Sequence, residues 1–131
     1  MEPKAKRFDY AVSLDRAGRA TAQGATVEVP DEWAPEHFVL AGLVRCSLTS
    51  LRYHALRDGI VVEAEAAAHG TITRRGEDGR YAFVEIECRF DIALEPKPCE
   101  AELAELLAKA ERDCFVGASL RLAPSYVWNV A

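Results

Sequence analysis

Between Pro35 and Arg57 the chain is apolar on nearly every side. Phe38, Leu40, Leu43, Val44, Leu48, Leu51 and Leu56 recur at helical spacing and leave only a narrow polar flank. A single sheet covers one side of such a helix, so the other side needs a second cover. In a chain of 131 residues that cover is another subunit, and the pattern predicts an obligate homodimer. Proline is preorganised for a first helical turn, which starts the helix near Pro35, and Gly59 follows its end. Cys46 lies in the middle of this helix. A lone thiol in an apolar helix is by default inert packing, so its chemistry depends on a partner elsewhere in the chain.

The remaining segments predict an α+β fold in one domain, residues 1–131. Phe8, Tyr10, Val12 and Leu14 alternate with small or polar residues, the period of a half-buried strand. A turn through Asp15-Arg16-Ala17-Gly18 leads to a second strand from Arg19 to Val29. Ile60 to Thr73 and Arg80 to Leu94 are rich in strand formers and flank the turn Arg75-Gly-Glu-Asp-Gly79, which predicts a long antiparallel hairpin. Within it Val84, Ile86, Cys88, Phe90 and Ile92 share one face, so Cys88 belongs to the core. Cys99 to Arg112 reads as an amphipathic helix with Glu100 and Glu102 where the helix dipole favours acids. A short turn or helical segment then carries Cys114 to Leu120, and Pro124 to Ala131 reads as a last strand.

Net charge and cysteine usage exclude several functions. At a formal charge of -5, with basic residues scattered among acids, the chain has no stripe for a phosphate backbone, so no nucleic-acid partner is expected. The polar start Met1-Glu-Pro-Lys-Ala-Lys-Arg7 has no apolar leader core, and no apolar run reaches membrane-spanning length. A cytoplasmic protein without membrane association is expected. The four cysteines are widely spaced and form no Cys-x-x-Cys pair, so neither a disulfide framework nor a metal site is expected. His54 is two helical turns beyond Cys46, too far for a direct acid–base pair, and His37 and His69 have no evident partner. All three read as solvated or interface residues. Cys99 reads as a helix-start residue.

Four motifs in order give the chain a family resemblance: Pro35-Glu36 ahead of Cys46, Cys46-x-x-Thr49, Ala110-Glu-x-x-Cys114 with Val116 and Leu120 after it, and the closing Pro124-x-Tyr-x-Trp-x-Val130. Together they resemble the OsmC/Ohr family of thiol-dependent peroxidases over almost the whole chain. The resemblance implies an intertwined homodimer in which antiparallel sheets wrap around long central helices and the active sites lie at the subunit interface. It implies Cys46 as the peroxidatic thiol, oxidised by a hydroperoxide to a sulfenic acid, and Cys114 as the resolving thiol that condenses with it to a disulfide. A thiol reductant, such as a lipoyl-bearing protein, would restore the pair, and no cofactor is implied. Arg16-Ala-Gly-Arg19 fits the family's arginine turn, with Arg16 the first choice and Arg19 the alternative, and Glu36 is implied as the residue that orients that arginine. Where the family often has Cys-Pro-Val-Ser or Cys-Pro-Val-His, this chain has Cys114-Phe-Val-Gly117. The competing readings are a thiol–disulfide exchanger or redox sensor and a non-catalytic dimeric binding protein of the same fold.

The chemistry sets a requirement on these residues. A free thiol with a pKa of about 8.5 is only about 3% thiolate at neutral pH, and burial lowers that fraction further. Lowering the pKa to about 6 takes on the order of 3.4 kcal/mol of selective thiolate stabilisation, within reach of a partly buried arginine. Glu36 and Cys46 are ten residues apart, about 15 Å along a straight helix. For Glu36 to act at Cys46, either the helix is interrupted near its start or Glu36 comes from the partner's helix.

Overall fold

The computed structural model describes residues 5–131; residues 1–4, part of the stretch read above as lacking a leader, lie outside it. The chain divides into two compact units, Met1–Ala34 and Pro35–Ala131.

In the first unit β1 (Ser13–Leu14), β2 (Ala20–Ala22) and β3 (Ala25–Val27) form an antiparallel sheet in that order. The single strand expected from Arg19 to Val29 is in fact two. Gln23 and Gly24 take φ values of 52° and 75°, the paired positive dihedrals of a two-residue hairpin turn, and Ala22 pairs with Ala25 across it. The alternating segment before them is paired only at its end, Ser13 with Thr21 and Leu14 with Ala20. Tyr10, Val12 and Leu14 stay exposed, Tyr10 at 77%.

The second unit begins with α1 (Pro35–Arg57), continuous over the expected range. It continues with β4 (Val61–Arg74), β5 (Tyr81–Glu95), α2 (Glu100–Arg112), α3 (Phe115–Ser119) and β6 (Ser125–Val130). The sheet order is β4-β5-β6, with β4 and β5 antiparallel as expected. β6 runs parallel to β5, because the chain between them carries α2 and α3, a crossover long enough to bring it back in the same direction. α1 packs against β4, α2 and α3.

The core lies between this sheet and the helices. Leu43, Leu51, Ile86, Cys88, Phe90 and Cys114 are fully or almost fully buried. One face assignment is corrected: Val84 is exposed, not buried with Ile86 and Cys88. Thr71 pairs with Glu85 but Ile72 pairs with Phe83, so Val84 is the extra residue of a bulge and the alternation shifts by one beyond it. Phe83 turns inward and packs against the core. Gly70 permits this approach, since a Cβ there would stand 2.6 Å from the Phe83 ring. At the hairpin tip Arg75 Nη2 donates to Asp78 Oδ2 at 2.6 Å, and Arg121, beyond α3, donates to Glu77 Oε2 at 3.1 Å.

Candidate active site

Cys46 and Cys114, far apart in sequence, meet where α1 passes the start of α3. The burial of Leu43 and Ser47 turns this face of α1 inward, and Cys46 is carried to its half-buried margin. Cys114 is fully buried and caps α3, its Sγ accepting from the Gly117 N–H at 3.4 Å. The preceding amide, Val116 N–H, donates to Cys46 Sγ, also at 3.4 Å. The two thiols thus flank a single turn of backbone, and the Cys114 thiol interacts directly with that of Cys46.

Burial is the largest influence on Cys46 and pushes its thiol above the ordinary range. The Val116 N–H pulls it down, the neighbouring Cys114 thiol pushes it up, and the Phe115 N–H pulls it down again. Without a cation this thiol is held protonated at neutral pH. Ser47, also fully buried, donates from Oγ to the Leu43 carbonyl at 3.0 Å and lies 3.4 Å from Cys114 Sγ. One turn after Cys46, Ser50 Oγ is buried without a hydrogen-bond partner among the described residues. Cys88 is sheet core, with burial pushing its thiol to about 11. Cys99 precedes α2 and donates from its thiol to Glu102 Oε1 at 3.1 Å.

The implied charged residues are placed as follows. Arg16 lies in the exposed turn between β1 and β2. Arg19 closes that turn: its Nε donates to Asp15 Oδ2 at 2.8 Å and its N–H to Asp15 Oδ1 at 2.9 Å. The Arg19 guanidinium is therefore engaged locally, whereas Arg16 has no ion pair among the described residues. Glu36 is exposed in the first turn of α1. Because α1 is unbroken, the alternative of an interrupted helix is corrected, and Glu36 and Cys46 of one chain stay about 15 Å apart along it.

His54, expected to be solvated or at an interface, has an intramolecular partner. Its Nε2 lies 2.7 Å from Asp113 Oδ2, which ties the C-terminal half of α1 to the residue preceding Cys114. Arg112 grips the same carboxylate through Nε at 2.9 Å and Nη2 at 3.0 Å. The Arg112 guanidinium is the main reason that Asp113 is pulled down to about 2, with His54 adding to it. A carboxyl lowered on folding stabilises the fold above its unfolded value near 3.8, and this contribution is lost as pH falls toward 2. Asp113→Asn is expected to reduce the acid-induced loss of stability between about pH 4 and 2 in urea titrations, by a modest amount because the side chain is 38% exposed.

Among the described residues no three His, Cys, Asp or Glu side chains are grouped to hold a metal, and no helix is long and apolar enough to cross a membrane. A helical cysteine facing a second cysteine at the start of a short helix, with a three-stranded sheet behind them, defines an α+β dithiol protein. The chain belongs to the OsmC-like protein family, whose family model matches residues 28–128. Its fold is shared by the OsmC-like protein of Mycoplasma pneumoniae, at 19% identity and a TM-score of 0.71 over 98% of both chains. An OsmC-like protein of unknown function from Vibrio cholerae aligns at 16% identity and a TM-score of 0.73, over 97% of this chain and 100% of its own. An organic hydroperoxide resistance protein from Elizabethkingia anophelis aligns at 19% identity and a TM-score of 0.68, over 98% of this chain and 99% of its own. At these identities the likeness is one of fold. No curated protein matches the chain in sequence.

Proposed function

We propose that the chain is a cytoplasmic, homodimeric thiol peroxidase that reduces organic hydroperoxides, with hydrogen peroxide as a further substrate. The observation that carries this reading is the convergence of Cys46 and Cys114 on one turn, with the Val116 N–H on the Cys46 sulfur and the Cys114 thiol beside it. The Cys46 thiolate attacks the distal peroxide oxygen; the O–O bond breaks, the alcohol leaves, and Cys46 becomes a sulfenic acid. Cys114 then displaces the hydroxyl as water and forms the disulfide, which a thiol reductant such as a lipoyl-bearing protein reopens.

Dimerisation is supported by exposed apolar surface in each unit: Tyr10, Val12 and Leu14 in the first, and Tyr53 and Leu56 on α1, the last 78% exposed. In this reading Arg16 supplies a cation to Cys46, and Glu36 of the partner chain orients it. A half-buried cysteine next to an apolar interface suits a hydroperoxide with an apolar tail. The test is to mix reduced protein with cumene hydroperoxide and follow peroxide and thiols together. Two thiols lost per peroxide, with peptide mapping that links Cys46 to Cys114, is the expected result; peroxide left unconsumed would overturn the reading.

If Arg16 brings the thiol to about 6, its loss drops the thiolate fraction at pH 7 from about 90% to below the roughly 3% of a free thiol, because burial alone pushes Cys46 upward. Arg16→Met is therefore expected to slow the first oxidation of Cys46 at least about 30-fold at pH 7, with the deficit shrinking as pH rises through 9. Stopped-flow rates across that range check this. An unchanged pH profile would remove Arg16 from the site. A second reading, a slower thiol–disulfide exchanger, is favoured by the upward push that burial gives the Cys46 thiol.

A further inference from the structure

Cys114 is held by groups that the peroxidase reading leaves unused. Ser47 Oγ gives its one proton to the Leu43 carbonyl at 3.0 Å, so its lone pairs are what it offers Cys114 at 3.4 Å, and Cys114 Sγ also donates toward the same Leu43 carbonyl at 3.9 Å, so the thiol proton is directed at this side of α1. The Gly117 N–H donates to the same sulfur from another direction. A third group, the Tyr126 hydroxyl, occupies the space that a side chain at position 117 would fill: a Cβ there would stand 2.9 Å from that hydroxyl and 3.4 Å from Cys114 Sγ. Tyr126 interacts with both Ser47 and the Cys114 thiol, and burial pushes its phenol to about 12, so it stays a neutral donor. Its ring is fixed by β6, where Tyr126 pairs with Cys88 and lies parallel to Phe90 at 6.2 Å.

We propose that Ser47 and Tyr126 are positioning residues for the resolving thiol, and that Gly117 is needed because it leaves room for the Tyr126 hydroxyl. The inference rests on the peroxidase reading for the origin of the sulfenic acid but not for the geometry. With the thiol proton directed toward Ser47 and the Leu43 carbonyl, and one lone pair engaged by Gly117, the remaining lone pair is left for Cys46. In the closing step the Cys114 sulfur attacks the Cys46 sulfenic sulfur. The S–S bond forms, the S–O bond breaks, and the hydroxyl leaves with the Cys114 proton as water. Cys114 is oxidised and Cys46 reduced to the disulfide level, with no outside electron acceptor.

The experiment compares wild type with Tyr126→Phe, which keeps the ring, and Ser47→Ala, which keeps the helix. Cumene hydroperoxide, with dimedone trapping of Cys46, gives the rate of sulfenic acid formation and the rate of disulfide closure. Diamide, which closes dithiols without peroxide, gives closure alone. The expected result is a ratio of closure to sulfenic acid formation about tenfold lower in both variants, more dimedone adduct at Cys46, and a shifted pH profile for closure. Closure with diamide should slow by a similar factor. Closure at the wild-type rate in both variants overturns the inference, as does failure of wild type to join Cys46 and Cys114 with diamide. If wild type ignores peroxide but closes with diamide, and the variants close more slowly, the peroxidase reading fails while the positioning role stands.

Discussion

Cys46→Ser is expected to abolish hydroperoxide reduction, lowering turnover on the order of 10³-fold or more, to the uncatalysed background. Serine preserves the shape of the site and an acceptor for the Val116 N–H, which now meets sulfur at 3.4 Å. The hydroxyl is neither ionised at neutral pH nor able to accept an oxygen atom as sulfur does, so the first bond to the peroxide cannot form. Cys114→Ser should behave differently: peroxide is consumed once per chain and a sulfenic acid accumulates on Cys46, detectable by dimedone and mass spectrometry. Cys88→Ser and Cys99→Ser separate chemistry from thiol count, because Cys88 is sheet core and the Cys99 thiol serves Glu102. Turnover by Cys46→Ser at the wild-type rate would show that these cysteines are incidental to the fold.

Where one periodicity dominates, the sequence was a sufficient guide. Helix α1 begins at Pro35 and ends at Arg57 as expected, because proline preorganises its first turn and a long apolar repeat leaves no competing structure. The β4–β5 hairpin was legible for the same reason, its strand formers flanking a glycine-bounded turn. Reading failed where a single residue or a distant contact decides. Gln23-Gly24 breaks one apparent strand into β2 and β3, and a glutamine at positive φ is a weak signal before the pairing is known. The bulge at Val84 depends on how Thr71 and Ile72 register against β5, which alternation alone does not contain.

The site divides in the same way. The approach of Cys114 to Cys46 followed from the resemblance, and the structure supplies its physical basis in the Val116 amide. The groups around Cys114 were missed because they come from three elements. Ser47 is on α1, Tyr126 on β6, and Asp113, with its His54 partner, precedes α3. The available signals were an aspartate directly before Cys114 and a glycine in place of a side chain at position 117. Neither identifies a partner until tertiary contacts bring one. Arg16 and Glu36 belong to a third category, since the action proposed for them on Cys46 would depend on the packing of a second chain, which the sequence of one chain does not specify.

The largest effect on stability is expected at Phe90, because it joins the sheet to the strand that carries Tyr126. Its side chain is fully buried and pairs in register with Trp128, the two rings stacked with centroids 4.1 Å apart. Trp128 is anchored in turn by its Nε1, which donates to Glu111 Oε2 on α2 at 2.9 Å. Truncation to alanine removes the ring contacts and leaves a cavity between β5, β6 and the helices, at a cost of about 3–5 kcal/mol. Relaxation into that cavity is restricted, because Trp128 cannot follow the missing ring without stretching its bond to Glu111. Phe90→Leu refills most of the volume and should cost much less, in the range of about 1–2 kcal/mol. Urea denaturation followed by Trp fluorescence and circular dichroism would measure both variants at one protein concentration, since the midpoint of the proposed dimer would vary with concentration. Equal losses for alanine and leucine would point to the aromatic stack, rather than the buried volume, as the source of stability. A loss below about 1 kcal/mol for alanine would mean that β6 is held chiefly by its backbone ladder to β5, so that the position of the Tyr126 hydroxyl beside Gly117 would not depend on the aromatic layer.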